Sequence, residues 1–256
     1  MSFTRYVALG DSFTEGVGDP DDQLPNGVRG WPDRFAAEMA RLNPDFHYAN
    51  LAIRGRKLRA ILAEQLAPAL VLKPDLVSIY AGANDVLRPS VDIDSLMGSL
   101  ESGIAMLTGS GAHVLMFTAF DPGSSKVFGM TRGRFAIYSE YVREIAEKYD
   151  VTLVDYWRMR EYRDMRLWSE DRMHMSAAGH QRMAMAVLEE LEKDHLLEPH
   201  ELAPVRELSS AERRKQNVGW VSDYAGPWVK RRLTGVSSGD SLSPRWPEYI
   251  RPGVTL

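Results

Sequence analysis

Cysteine is absent from the 256 residues, which excludes a disulfide framework, a thiolate zinc site and a cysteine nucleophile. No run of eighteen apolar residues occurs, so no segment reads as a membrane span. Nor does a basic stretch followed by an apolar one suggest a secretory leader; a cytoplasmic protein with no integral membrane association is expected. A surplus of positive charge is also missing. The formal net charge is −4 and hides an asymmetry: residues 1 to 204 carry 22 Lys+Arg against 30 Asp+Glu, whereas residues 205 to 256 carry 9 against 5. An acidic body lacks the positive face that phosphate binding needs, which argues against nucleic acid as a partner.

What is present is ordinary for a folded enzyme, with 44% hydrophobic and 26% charged residues in a chain long enough for one sizeable core. Short apolar runs bounded by turn residues predict buried strands at Tyr6 to Leu9, His47 to Leu51, Leu76 to Tyr80, His113 to Phe117 and Thr152 to Val154. Between them, helical patterns cover Trp31 to Leu42, Lys57 to Leu70, Ile93 to Leu107 and Arg134 to Tyr149. A last one, Ala177 to Asp194, follows Ser176 as N-cap. Alternation of this kind predicts an α/β fold whose five-stranded parallel sheet is covered on both faces. Its site should lie at the carboxyl ends of the strands.

Three punctuated segments fall there. Gly10-Asp11-Ser12-Phe13 follows the first strand, Asn50 to Arg56 the second, and Gly82-Ala83-Asn84-Asp85 the third. Late in the chain come Asp171-Arg172-Met173-His174 and then Ser176 to His180. An acid three residues before a histidine can accept the imidazole Nδ1 proton and leave Nε2 as a base for a serine. Each piece alone has a plainer reading: Ser12 as a helix cap, Gly55 and Asn84 as turn formers, Asp171 and His174 as a surface pair. His180 lies six residues after His174, a spacing that does not put both on one helical face, so it reads as structural and no metal site is expected.

In order and spacing, these four blocks resemble the GDSL or SGNH hydrolases, with Phe13 where that family has leucine. The likeness runs over about residues 3 to 195. It implies a flavodoxin-like three-layer α/β/α sandwich, no metal and no cofactor. Carried over position by position, it makes Ser12 the nucleophile, His174 the general base and then acid, and Asp171 its orienter. The oxyanion donors would be the backbone N–H groups of Ser12 and Gly55 and the side-chain amide of Asn84. A glycine lets a backbone N–H approach a substrate closely, and the Asn amide donates without a charge. The expected activity is that of a serine esterase acting on a small or medium acyl ester through an acyl-enzyme, with a rate that falls as the imidazole base protonates. Two alternatives stand beside it, a carbohydrate O-deacetylase and a non-catalytic binding protein that keeps the fold.

Substrate choice is open in the sequence. Arg54 and Arg56 flank Gly55, where one meets either an anionic substrate group or a nearby acid. The polar insert Gly16 to Gly30 should form a rim near Ser12, and Gly123 to Gly133 a second wall. Residues 1–200 read as the catalytic domain. Residues 201–256 read as a basic extension, with Lys230-Arg231-Arg232 and the aromatics Trp220, Tyr224, Trp228, Trp246 and Tyr249, packing on the body or on a neighbouring subunit. Oligomeric state is not legible.

Overall fold

A computed structural model describes residues 2–125, 128–205 and 207–252. Lys126 and Val127 of the expected second wall, and the side chain of Arg232 in the basic cluster, lie outside what is described. The strands are β1 (Arg5–Gly10), β2 (His47–Asn50), β3 (Leu76–Tyr80), β4 (His113–Phe117), β5 (Thr152–Val154) and β6 (Trp246–Ile250). They form one sheet in the order β5-β4-β3-β1-β2-β6, with β1 to β5 parallel and β6 antiparallel to β2.

The expected sheet of five parallel strands is therefore corrected to six, the extra one coming from the C-terminal segment. That strand eluded the pattern because Pro247 interrupts it, and proline is tolerated only where a strand N–H faces away from the ladder, as at an edge. The central strands are continuous apolar runs: Val7, Ala8 and Leu9 are fully buried, as is Val77. Burial on both faces is why they show no alternation.

The helices divide into two groups. The helix α2 (Trp31–Leu42) packs on α8 (Ala177–Glu190), while α6 (Ile93–Gly109) packs on α3 (Leu58–Glu64), α4 (Leu66–Val71) and α7 (Arg132–Tyr149). Right-handed crossovers put the two groups on opposite faces of the sheet. The helix expected from Lys57 to Leu70 is broken at Gln65, which lies between α3 and α4. The break turns a polar side chain inward: Gln65 is buried, its Oε1 accepts from Gly10 N at 2.8 Å and its Nε2 donates to Gly10 O at 2.9 Å. A side-chain amide thus holds the last residue of β1 like another strand would.

The segment after residue 204 wraps the body. It forms α9 (Ser210–Trp220), a π-helical turn (Val221–Ala225), α10 (Gly226–Thr234) and then β6. Just before β6, Arg245 is buried and its Nη1 reaches Asp33 Oδ2 at 2.6 Å, Glu15 O at 3.1 Å and Arg29 O at 3.2 Å, with Nε on Pro25 O. One guanidinium therefore gathers the Gly16 to Gly30 insert onto α2.

Candidate active site

Ser12 opens the short helix α1 (Ser12–Glu15) directly after β1. The N-cap is Asp11, whose Oδ1 accepts from Phe13 N at 3.1 Å, so Ser12 is spared for other work. The turn is tight: Gly10 has φ of +149°, and a Cβ there would stand 2.6 Å from Thr14 Oγ1 and 2.7 Å from Tyr80 O. No larger residue fits without moving the turn that carries Ser12.

A cavity of about 110 Å³ is lined by Ser12, Asn84 and His174 together with apolar side chains, among them Tyr80, Phe120, Phe135 and Trp228. Three of the positions singled out in the sequence thus meet around one space at the carboxyl edge of the sheet. Asp171 stands behind His174. Its Oδ2 accepts from His174 Nδ1 at 2.5 Å, while Oδ1 accepts from Ser169 Oγ, Met173 N and His174 N at 2.7, 2.8 and 3.0 Å. Burial alone would raise the Asp171 carboxyl, but the hydrogen bond and charge of His174, then Ser169 and Met173, hold it well below the usual carboxylate range. The group is an anion that fixes the imidazole through Nδ1, leaving Nε2 as the nitrogen available to a proton donor.

Asn84 enters from α5 (Ala83–Val86), after β3. Its Nδ2 donates to Asp11 Oδ2 at 2.8 Å and to Arg56 O at 3.2 Å, so both amide protons are held by the protein. Burial pushes the Asp11 carboxyl up to about 7, against the Phe13 N–H bond. Gly55 is not a lining residue of the cavity. It has φ of +78°, and a Cβ on it would fall 2.0 Å from Ser237 Oγ of the C-terminal segment. Its loop reaches the site through the Arg56 carbonyl that Asn84 grips, and Asp85 Oδ2 braces the same loop by accepting from Leu58 N.

The two arginines flanking Gly55 are spoken for. Arg54 forms a fork on the buried Glu15, Nε to Oε2 at 2.9 Å and Nη2 to Oε1 at 2.8 Å, and Arg56 pairs with Glu64 and Asp240. Of the Gly16 to Gly30 insert, only Val17 lines the cavity. The contributions of Gln65, Trp228 and Phe135 were not legible beforehand. A glutamine between the apolar residues Ala63 and Leu66, just before Pro68, follows Glu64 and gives no local signal of its own.

His180 is fully buried. Its Nδ1 accepts from Trp31 N at 3.2 Å and its Nε2 donates to Val17 O at 3.1 Å, so it ties α8 to the cavity rim. Among the described residues no cluster of His, Asp and Glu could hold a metal ion. Burial pushes the His180 imidazole from 6.5 down to about 4. Above the unfolded value both states carry a neutral ring. As pH falls from 6.5 towards 4 the unfolded chain takes up a proton that the folded one refuses, and stability is lost. Asp11 acts oppositely, its raised carboxyl removing stability as pH rises from 3.8 towards 7. The His180 part is isolated by difference: the stability of the parent relative to His180→Gln should fall by about 2–3 kcal/mol between pH 7 and pH 4.5, read from urea unfolding. An unchanged difference would show that His180 is not held as a buried neutral ring.

Among the described residues, no helix is long and apolar enough to cross a membrane. The sequence model described as GDSL-like Lipase/Acylhydrolase family matches residues 8–182. No curated protein gives a significant sequence match. Among solved structures, LAE5, an alpha/beta hydrolase enzyme from the metagenome of Lake Arreo, Spain, is 22% identical with a TM-score of 0.62, covering 74% of this chain and 95% of its own. The acetylxylan esterase Axe2 from Geobacillus stearothermophilus is 22% identical with a TM-score of 0.61, covering 76% and 98%. Catalytic mutants of that esterase replace a serine, an aspartate or a histidine with alanine.

Proposed function

Because the chain belongs to the GDSL-like lipase/acylhydrolase family, we propose that its hydrolysis of ester bonds runs through Ser12, His174 and Asp171 and that the acyl group removed is short. The observation that carries this reading is the convergence of Ser12, Asn84 and His174 on one cavity, with Asp171 bonded to the far nitrogen of His174. Ser12 Oγ attacks the ester carbonyl carbon while His174 Nε2 takes its proton. The tetrahedral intermediate collapses, the C–O bond to the alcohol breaks, and His174 returns the proton to the leaving oxygen. Water then attacks the acyl-enzyme by the same route.

The oxyanion would be met by Ser12 N–H and by Asn84, which exchanges its 3.2 Å bond to Arg56 O for one to the substrate. Gly55 N–H is the third proposed donor. Residues 1–200 are taken as the domain that supplies the reacting side chains, with Trp228 of the C-terminal segment on the cavity wall.

The short acyl group rests on volume. About 110 Å³ bounded by Phe135, Tyr80, Phe120 and Trp228 holds only several water-sized groups. With p-nitrophenyl esters, kcat/KM should be greatest for acetate to butyrate and fall roughly tenfold or more at octanoate. A rate that rises with chain length would overturn the short-acyl assignment.

A second reading, a carbohydrate O-deacetylase, is favoured by a separate feature. A groove of about 740 Å³ adjoins the cavity, shares Phe120, Phe128 and Trp168 with it, and adds Tyr162, Trp220 and Tyr224 beside Asp121, Glu170 and Asp223. Aromatic faces and carboxylates together suit the C–H faces and hydroxyls of a sugar. A lower KM for acetylated xylooligosaccharides than for p-nitrophenyl acetate would select this reading; equal values would leave the simple esterase.

A further inference from the structure

The loop that carries Asp171 and His174 is a closed turn. An antiparallel bridge joins Trp168 to Met175, Ser169 N donates to His174 O at 2.9 Å, and Arg172 N donates to Ser169 O at 3.0 Å. Arg172 at its tip has φ of +56°, in the left-handed region that side chains other than glycine rarely adopt. The peptide between Asp171 and Arg172 is therefore the strained joint of the turn. Its N–H is held by Ser169, and its carbonyl is held from outside: Trp220 Nε1 donates to Asp171 O at 2.8 Å.

Trp220 ends α9, a helix 49 residues away in sequence, and three neighbouring contacts set it there. The Arg172 guanidinium lies over the Trp220 ring at 5.4 Å, Arg172 Nη1 donates to Asn217 Oδ1 at 2.8 Å, and Tyr224 Oη donates to Glu170 Oε2 at 3.1 Å. Rotation of the Asp171–Arg172 peptide changes ψ of Asp171 and φ of Arg172 together. Such a rotation turns the Arg172 N–H away from Ser169 O and loosens the turn whose Met173 and His174 N–H groups hold the Asp171 carboxylate against His174.

We propose that Trp220 is a positioning residue for this reaction: by fixing the Asp171 carbonyl it holds the carboxylate on His174 and so completes the acid–base pair from outside the family-matched region. The C-terminal segment is then part of the active site as well as a wrapping. The same segment also brings Trp228 to the cavity wall. This inference rests on the serine esterase reading above.

Trp220→Phe keeps a ring for Arg172 and removes the indole donor to the Asp171 carbonyl. With p-nitrophenyl acetate, kcat should fall roughly threefold to tenfold, the worth of one neutral hydrogen bond, with KM unchanged. The low-field proton resonance of the His174–Asp171 hydrogen bond should shift or broaden. Ser209→Ala is the matched control, since it removes the capping box at the other end of α9 and touches neither Asp171 nor the groove; its kcat and its resonance should equal the parent's. Parental kcat and resonance in Trp220→Phe would overturn the proposal, and so would an equal loss in Ser209→Ala, which would reduce Trp220 to general docking. Ser12→Ala run alongside separates the two levels: if it hydrolyses as fast as the parent, the serine reading fails, while the resonance still reports on Trp220.

Discussion

Ser12→Ala is expected to lower kcat/KM for p-nitrophenyl acetate by roughly four to six orders of magnitude while the far-ultraviolet spectrum and melting temperature stay at parental values. Such a separation of activity from stability follows from the local structure. The helix after β1 is capped by Asp11 rather than Ser12, and alanine suits the first turn of a helix. The parts that hold the turn are Gly10, Gln65 and Thr14, and the substitution touches none of them. What disappears is the proposed nucleophilic oxygen alone, leaving Ser12's backbone N–H in place. Activity within tenfold of the parent would end the assignment of Ser12. Labelling by a reactive organophosphonate offers a second check, since a non-catalytic binding protein would leave Ser12 unmodified.

Arg245→Ala is expected to destabilise the protein by about 3–5 kcal/mol, a large share of the ~5–15 kcal/mol that holds a domain folded. Arg245 and Asp33 both have fully buried side chains, 2.6 Å apart. Burial drives the Asp33 carboxyl up, and the guanidinium opposes it. Removing the cation leaves a buried carboxyl without its bonded counter-charge and also frees the carbonyls of Glu15, Arg29 and Pro25. The double substitution Arg245→Met with Asp33→Leu should recover much of the loss, because an apolar pair of similar volume removes the stranded charge. Urea unfolding measures both. A single-variant loss below about 1 kcal/mol would mean that the C-terminal segment is anchored by β6 and not by this pair.

Much of the fold was legible because its signals are local. Leu76–Tyr80, His113–Phe117 and Thr152–Val154 are strands in the structure at the expected residues; short buried apolar runs between turn formers leave little choice of conformation. Helix ends were harder. Arg132–Tyr149 begins two residues before the expected Arg134, and Ala177–Glu190 stops four before the expected Asp194, since end residues fray and follow tertiary contacts.

At the site, residue types were readable and partners were not. Asp171 and His174 lie three apart, so their pairing could be posed from spacing. The commitments of Arg54 to Glu15, of Asn84 to Asp11 and of Arg56 to Asp240 join residues far apart in the chain. No periodicity encodes such pairs.

The alternation of short apolar runs with amphipathic stretches suffices for a parallel sheet between helices, with Gly10-Asp11-Ser12 at a strand end, because these patterns act within a few residues. The course of the last fifty residues depended on folding in three dimensions. A proline-containing segment becomes a sheet edge only when Tyr48 and Asn50 are there to receive it, Arg245 is buried only against Asp33, and Trp220 finds the Asp171 carbonyl only after the loop of Asp171 and His174 has closed. Each of these joins groups that are strangers in sequence, and their energy exists only when both are desolvated together.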